Sequence, residues 1–101
     1  MFPLSRFRVA DDSMRPTLLP GDYVLVNRWA FRHRAPVAGE IVVLRHPHNS
    51  SHFLVKRIAS VAGPDTVFVV GDNEARSEDS RQFGPVARGL IVGKVWVAAM
   101  R

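Results

Sequence analysis

The apolar residues of this chain come in short clusters rich in Val and Ile, cut apart by Pro, Gly, Asn and Asp, and this pattern constrains the fold more than any other feature. β-Branched side chains lose rotamer freedom in helices and pack well on pleated surfaces. Residues 7–10, 23–27, 40–44, 53–61, 66–70 and 90–98 therefore read as strands. Turn signals fall between them at Pro20-Gly21-Asp22, Ala38-Gly39-Glu40, Gly63-Pro64-Asp65 and Gly71-Asp72-Asn73. Helical periodicity is weak throughout. The best helical segment is 28–33, and Pro36 limits its extension. The expectation is an all-β fold, a small partly closed β-barrel or sandwich of short strands. With 101 residues, no repeat and no linker, it is one domain over 1–101.

Composition narrows the function classes. Apolar residues make up 47% and charged residues 23%, enough apolar surface for a core, which argues against disorder. There is no cysteine, so disulfides, thiolate metal sites and a cysteine nucleophile are excluded. The formal charge is +5, from 14 Lys and Arg against 9 Asp and Glu. Most of these cations are scattered along the chain, and the densest cluster, Arg28-Trp29-Ala30-Phe31-Arg32-His33-Arg34, reads as a solvated loop, so no nucleic-acid partner is expected. Apolar runs such as 41–44 and 67–70 are far short of the roughly 20 residues of a membrane span. The segment opening at Met1 also lacks a secretory signal. The chain is thus expected to be soluble and cytoplasmic, with peripheral membrane contact as the alternative.

The alternation in Phe53-Leu54-Val55-Lys56-Arg57-Ile58 bears on chemistry. On a strand, Lys56 shares a face with Leu54 and Ile58, while Arg57 points the other way with Val55. A lysine directed to an apolar side is destabilised in its charged form, and only a neutral amine can act as a base. The same placement also suits a lysine whose stem packs while its head reaches water.

Three segments carry the functional signal. The first is Asp12-Ser13-Met14-Arg15-Pro16-Thr17-Leu18, followed by Pro20-Gly21-Asp22. The second is Val55-Lys56-Arg57-Ile58. The third begins Gly71-Asp72-Asn73, continues through Ser77-Glu78-Asp79-Ser80-Arg81 and Gly84-Pro85-Val86, and ends in Gly93-Lys94-Val95-Trp96. In this order and spacing they resemble the signal peptidase I family across residues 9–96.

The resemblance implies Ser/Lys catalysis: a serine endopeptidase that removes an N-terminal leader from a precursor protein, with no cofactor and no metal. Ser13 matches the family nucleophile and Lys56 its general base. Ser77 matches the serine that orients the lysine amine, and Asp79 and Arg81 a bracing ion pair. Met14 and Pro16 are expected along the substrate groove, although Met14 fits a plain core position equally well. Asp72 and Asn73 would shape a turn. The chain departs from the family pattern at Asp11, where a small or hydroxyl residue is usual near the oxyanion hole. A carboxylate there opposes a developing oxyanion, so either Asp11 points away and leaves the Ser13 N–H as donor, or activity is reduced. The extra β subdomain of larger members is missing. The compact pattern most resembles the nickel-type superoxide dismutase maturation proteases, whose substrate is the dismutase precursor.

Other readings compete. His46, His48 and His52 could form a metal loop or a Ser/His site, but their spacing fits no standard zinc motif and they read as surface-loop histidines. The resemblance equally admits a general signal peptidase I-type enzyme acting on exported preproteins. A non-enzymatic basic β module binding nucleic acid would explain the charge and not the motifs. A self-cleaving repressor domain would need an Ala-Gly or Cys-Gly bond upstream, and residues 1–8 contain none.

Overall fold

The computed structural model describes residues 3–100, with the backbone alone for 97–100. Its strands are β1 (Leu4–Arg8), β2 (Tyr23–Asn27), β3 (Ile41–His46), β4 (Asn49–Val61), β5 (Thr66–Val70), β6 (Val86–Ala87) and β7 (Ile91–Met100). They form one antiparallel sheet in the order β1-β2-β7-β3-β4-β5-β6, with β1 and β6 at its edges. The all-β expectation holds. The sheet is open rather than closed into a barrel.

β3 shows why this sheet needs a continuous apolar run at its centre. Val42 and Leu44 pack with Leu54, Ile58, Val67, Val69 and Val86. Val43, between them, packs with Val9, Met14, Leu18, Val24 and Val26. Successive residues of a strand face opposite sides, so a strand covered on both faces reads as apolar throughout. Burying each such side chain contributes about 1.5–3 kcal/mol relative to exposure. β7 lies between β2 and β3 and so joins the two clusters. It comes close to the end of β2 because Gly93 has no side chain: a Cβ there would overlap the Asn27 carbonyl.

Several local expectations shift. β1 starts and ends earlier than 7–10, because its partners run from Leu4 opposite Asn27 to Arg8 opposite Tyr23. The segment 28–33 is not a helix but a series of turns. The Asn27 side chain accepts from the Trp29 N–H at 2.9 Å, the Arg32 N–H donates to the Trp29 carbonyl at 3.2 Å, and the Arg32 guanidinium lies over the Trp29 ring. Among the described residues one α-helical turn forms, α1 (Ser80–Phe83), where no helix is expected from periodicity. Its signal was in the sequence: Asp79 accepts from the helix start while Gln82 accepts from the Asp79 N–H, a capping box.

Candidate active site

Two anchors hold the loop between β1 and β2 in shape. At its neck, the Val9 N–H donates to the Asp22 carbonyl and the Gly21 N–H returns a bond to the Val9 carbonyl, both at 2.8 Å. In its middle, Met14 and Leu18 are buried in the core beside Val24 and Val26. Ser13 is carried between these anchors and is itself only 4% exposed.

The Gly71-Asp72-Asn73 segment clamps this loop from the other side. The Asn73 N–H donates to the Ser13 carbonyl at 2.9 Å, and its side-chain amide donates to the Asp12 carbonyl at 3.0 Å. Asp72 accepts from Thr17 Oγ1 and takes a two-pronged contact from Arg57, through Nε at 2.8 Å and Nη2 at 2.7 Å. Such paired bonds fix orientation as well as distance. Hence the adjacent basic residues of β4 do different work from opposite faces: Arg57, which also donates to the Gly39 carbonyl at 2.8 Å, ties three loops together, while Lys56 turns inward.

Lys56 is 2% exposed and lies on the face of Leu54 and Ile58. Its Nζ donates to Ser77 Oγ at 3.1 Å. Burial pushes its pKa below the ordinary lysine value, opposed by the carboxylates of Asp11, Asp79 and Glu78. Ser77 in turn donates to Asp79 Oδ2 at 2.6 Å. Asp79 is fully buried and also accepts from the Gly71 N–H, the Arg81 N–H, Arg81 Nε and Arg81 Nη2. Burial alone would raise its carboxyl, but the bonds from Arg81, Ser77 and Gly71 outweigh that and hold it well below the usual carboxylate range. Gly71 sits at the centre of this arrangement: a Cβ there would overlap the Ser77 side chain and the Ser13 carbonyl.

Ser13 and Lys56 line one narrow cleft of ≈ 70 Å³, walled by Phe7, Val9, Met14, Phe53 and Val55 among others. Met14 serves as both core residue and cleft floor. Pro16 is exposed and does not line the cleft. Ser77, Asp79 and Arg81 stand behind Lys56. Phe7 and Phe53 meet across the cleft with ring centroids 5.3 Å apart. A wider cleft of ≈ 500 Å³, lined by Arg28, Phe31, Arg32, Asp65 and Arg88 among others, contains neither Ser13 nor Lys56. Its size alone gives it no chemistry.

The expectation that Asp11 points away is corrected. Its Oδ1 accepts from the Ser13 N–H at 3.0 Å. The signal was legible, because Asp two residues before an N–H is the pattern of an Asx turn. Of the histidines, His48 and His52 are exposed, whereas His46 is half-buried with its Nε2 2.8 Å from Glu78 Oε1 and its ring against Phe83. Among the described residues, no three His, Cys, Asp or Glu side chains converge as a metal site. The long-range contacts by which Asn73 and Thr17 join the loops carried no comparable signal.

The sequence pattern of "Signal peptidase, peptidase S26" matches residues 1–67 and 64–100. The chain is 38% identical over 105 residues to the mitochondrial ATP-independent inner membrane protease subunit 1b of Arabidopsis thaliana, covering 82% of this chain and 62% of that protein. It is 33% identical over 108 residues to the mitochondrial inner membrane protease subunit 2 of Danio rerio, covering 86% and 59%. It is 36% identical over 69 residues to the signal peptidase I of Buchnera aphidicola subsp. Baizongia pistaciae, covering 56% and 22%. The chain thus spans about three fifths of the length of the first two relatives. Among the described residues no helix is long and apolar enough to cross a membrane. The expected cytoplasmic location is nevertheless overturned, since relatives named for an inner membrane point to membrane association. On this match along nearly its whole length, the chain belongs to the signal peptidase family, peptidase S26.

Proposed function

We propose that this chain is a serine endopeptidase of the signal peptidase type, in which Ser13 is the nucleophile and Lys56 the general base, and that it removes leaders from precursor proteins. The observation that carries the reading is the environment of Lys56: a buried amine that lines one cleft together with Ser13, with Ser77 accepting from its Nζ. Burial favours the neutral amine that a base requires. Ser77 gives its own proton to Asp79, so its oxygen is left to accept from Lys56. One amine N–H is thereby held, which restricts rotation of the amine and of its lone pair. Lys56 takes the Ser13 hydroxyl proton as Oγ bonds to the scissile carbonyl carbon. When the tetrahedral intermediate collapses, the C–N bond breaks and the same proton passes to the leaving amine. Water then attacks the ester with Lys56 again as base.

The strand pairing supports an extended peptide substrate. β5 pairs with β4 from Arg57 to Val61, and the stretch of β4 before Lys56 pairs with β3 alone among the described strands. β1 likewise pairs with β2 alone. Two open strand edges therefore border the cleft, the setting in which a peptide adds as a strand.

Incubating the purified chain with leader-bearing precursor peptides, followed by amino-terminal analysis of the products, tests the reading. Ser13→Ala and Lys56→Ala should each lose at least about 10³-fold in kcat/KM. Full activity in either variant sinks it. The nickel-type superoxide dismutase precursor remains one substrate to assay, on the strength of the compact Asp12-to-Leu18 motif. A general signal peptidase reading, with exported preproteins as substrates, fits equally well, and cleavage of one class and not the other decides between them.

A further inference from the structure

The contact between Asp11 and Ser13 has a consequence for turnover, given the Ser13/Lys56 reading above. The oxyanion of an acyl-transfer intermediate needs N–H donors aimed at it from about 2.7–3.1 Å. The backbone N–H of the nucleophile is such a donor, and here it is engaged at 3.0 Å by a carboxylate oxygen. One N–H has one proton to give. A carboxylate beside a developing oxyanion also repels it.

We propose that Asp11 is a gate on the oxyanion site: in the resting chain its carboxylate occupies the Ser13 N–H, and the substrate carbonyl gains that donor only after Asp11 rotates out of the cleft. Asp11 lies on the exposed lip of the cleft that holds Ser13 and Lys56, so it has room to move. The groups facing it are Ser13 on its own loop and Lys56 and His52 of β4. Lys56 is faced in addition by Asp79, Glu78 and Arg81. The carboxylate therefore opposes catalysis twice. It withholds an oxyanion donor, and its charge favours the protonated form of Lys56, the form that cannot act as base. Both effects vanish together when Asp11 leaves, which couples opening of the oxyanion site to deprotonation of the base.

Two variants separate the effects. Asp11→Ala removes both the acceptor and the charge. Asp11→Asn removes the charge but keeps an oxygen that can hold the Ser13 N–H, as asparagine does in Asx turns. In a peptide-cleavage assay across pH, Asp11→Ala should raise the plateau kcat about 10- to 100-fold, part of the roughly 100-fold or more that one oxyanion donor is worth. Its acid limb should also move to lower pH. Asp11→Asn should show the same shift of the limb with little gain in plateau kcat, a split that a purely structural turn residue would not produce. In the resting protein, the Ser13 amide proton followed by nitrogen-15 NMR should move upfield in Asp11→Ala and stay near its place in Asp11→Asn.

A plateau kcat in Asp11→Ala equal to or below that of the unmodified chain, with Ser13→Ala inactive, overturns the gate and leaves the dyad standing. An unmoved Ser13 amide proton in Asp11→Ala overturns it independently of activity. Should Asp11→Ala fail to fold, an acid limb in Asp11→Asn that has not moved overturns the coupling. Full activity in Ser13→Ala removes the dyad and the gate together, and that control alone identifies this outcome.

Discussion

Replacing Gly71 by Ala should damage both the stability and the chemistry of this protein, because the space for a methyl group is already taken. A Cβ built at position 71 would lie 2.5 Å from the Ser13 carbonyl oxygen and would also overlap Ser77 Oγ and Cβ. Comfortable contact begins near 3.5 Å, so about 1 Å of displacement is required. None of it can be absorbed by a flexible chain end: Ser13 O belongs to the backbone held by Asn73, and Ser77 is held between Lys56 and Asp79. Overpacking of this kind costs roughly 1–3 kcal/mol. For a domain of this size that lowers Tm by roughly 4–20 °C. A misplacement of about 1 Å at reacting groups costs about 10²-fold in rate. Gly89→Ala is the control, since a Cβ at Gly89 meets nothing within 4 Å. Thermal unfolding followed by circular dichroism, with kcat/KM on a precursor peptide, measures both effects. If Gly71→Ala melts with Gly89→Ala and cleaves at its rate, the packing between Ser13 and Ser77 is not what limits this site.

Other outcomes follow from the buried charges. Because burial lowers the Lys56 pKa, kcat/KM should rise with pH through that depressed value and level off before the ordinary lysine titration near about 10.4. The unfolded lysine keeps its proton up to about 10.4 while the folded one sheds it earlier, so stability should increase with pH between the two values. Lys56→Met should abolish cleavage, remove that pH slope, and raise stability near neutral pH by about 1 kcal/mol, since an apolar chain fills the same space without the cost of a buried amine. Denaturant titration at several pH values checks all three. Asp79→Asn places amide hydrogens among the donors of Gly71, Ser77 and Arg81, and should cost about 2–3 kcal/mol at neutral pH. The Asp79 carboxyl is depressed in the folded state, so its contribution is present above the unfolded carboxyl pKa of about 3.9 and fades below it. The gap between Asp79→Asn and the unmodified chain should therefore narrow in acid, and urea midpoints that stay equally far apart would contradict the assignment.

Much of this was legible along the chain because strand geometry is local. The period of two in Leu54, Lys56 and Ile58 predicts one shared face, and the buried positions of β4 show it. The unbroken run from Ile41 to Leu44 marks a strand, and its lack of alternation is explained once cores are found on both faces. Turn residues separated the clusters correctly, and the ordered motifs pointed to the signal peptidase family. What failed was decided at a distance or by rotamer. The aromatic and basic run at 28–33 has no strong period, and the Asn27 side chain resolves it as turns. β7 inserts between β2 and β3, a pairing across more than half the chain that no local window contains.

By itself, then, the sequence determined the all-β class, the inward face of Lys56 and the motifs that carry the family resemblance, because backbone period and residue type are properties of neighbours. Only the tertiary structure decided that Asn73 clamps the serine loop, that Arg57 locks to Asp72 while Lys56 turns to Ser77, and that Asp11 lies on the Ser13 amide rather than away from it. Most of these depend on which loops meet after the sheet has formed. The last depends on which local rotamer Asp11 adopts in the cleft it shares with Lys56.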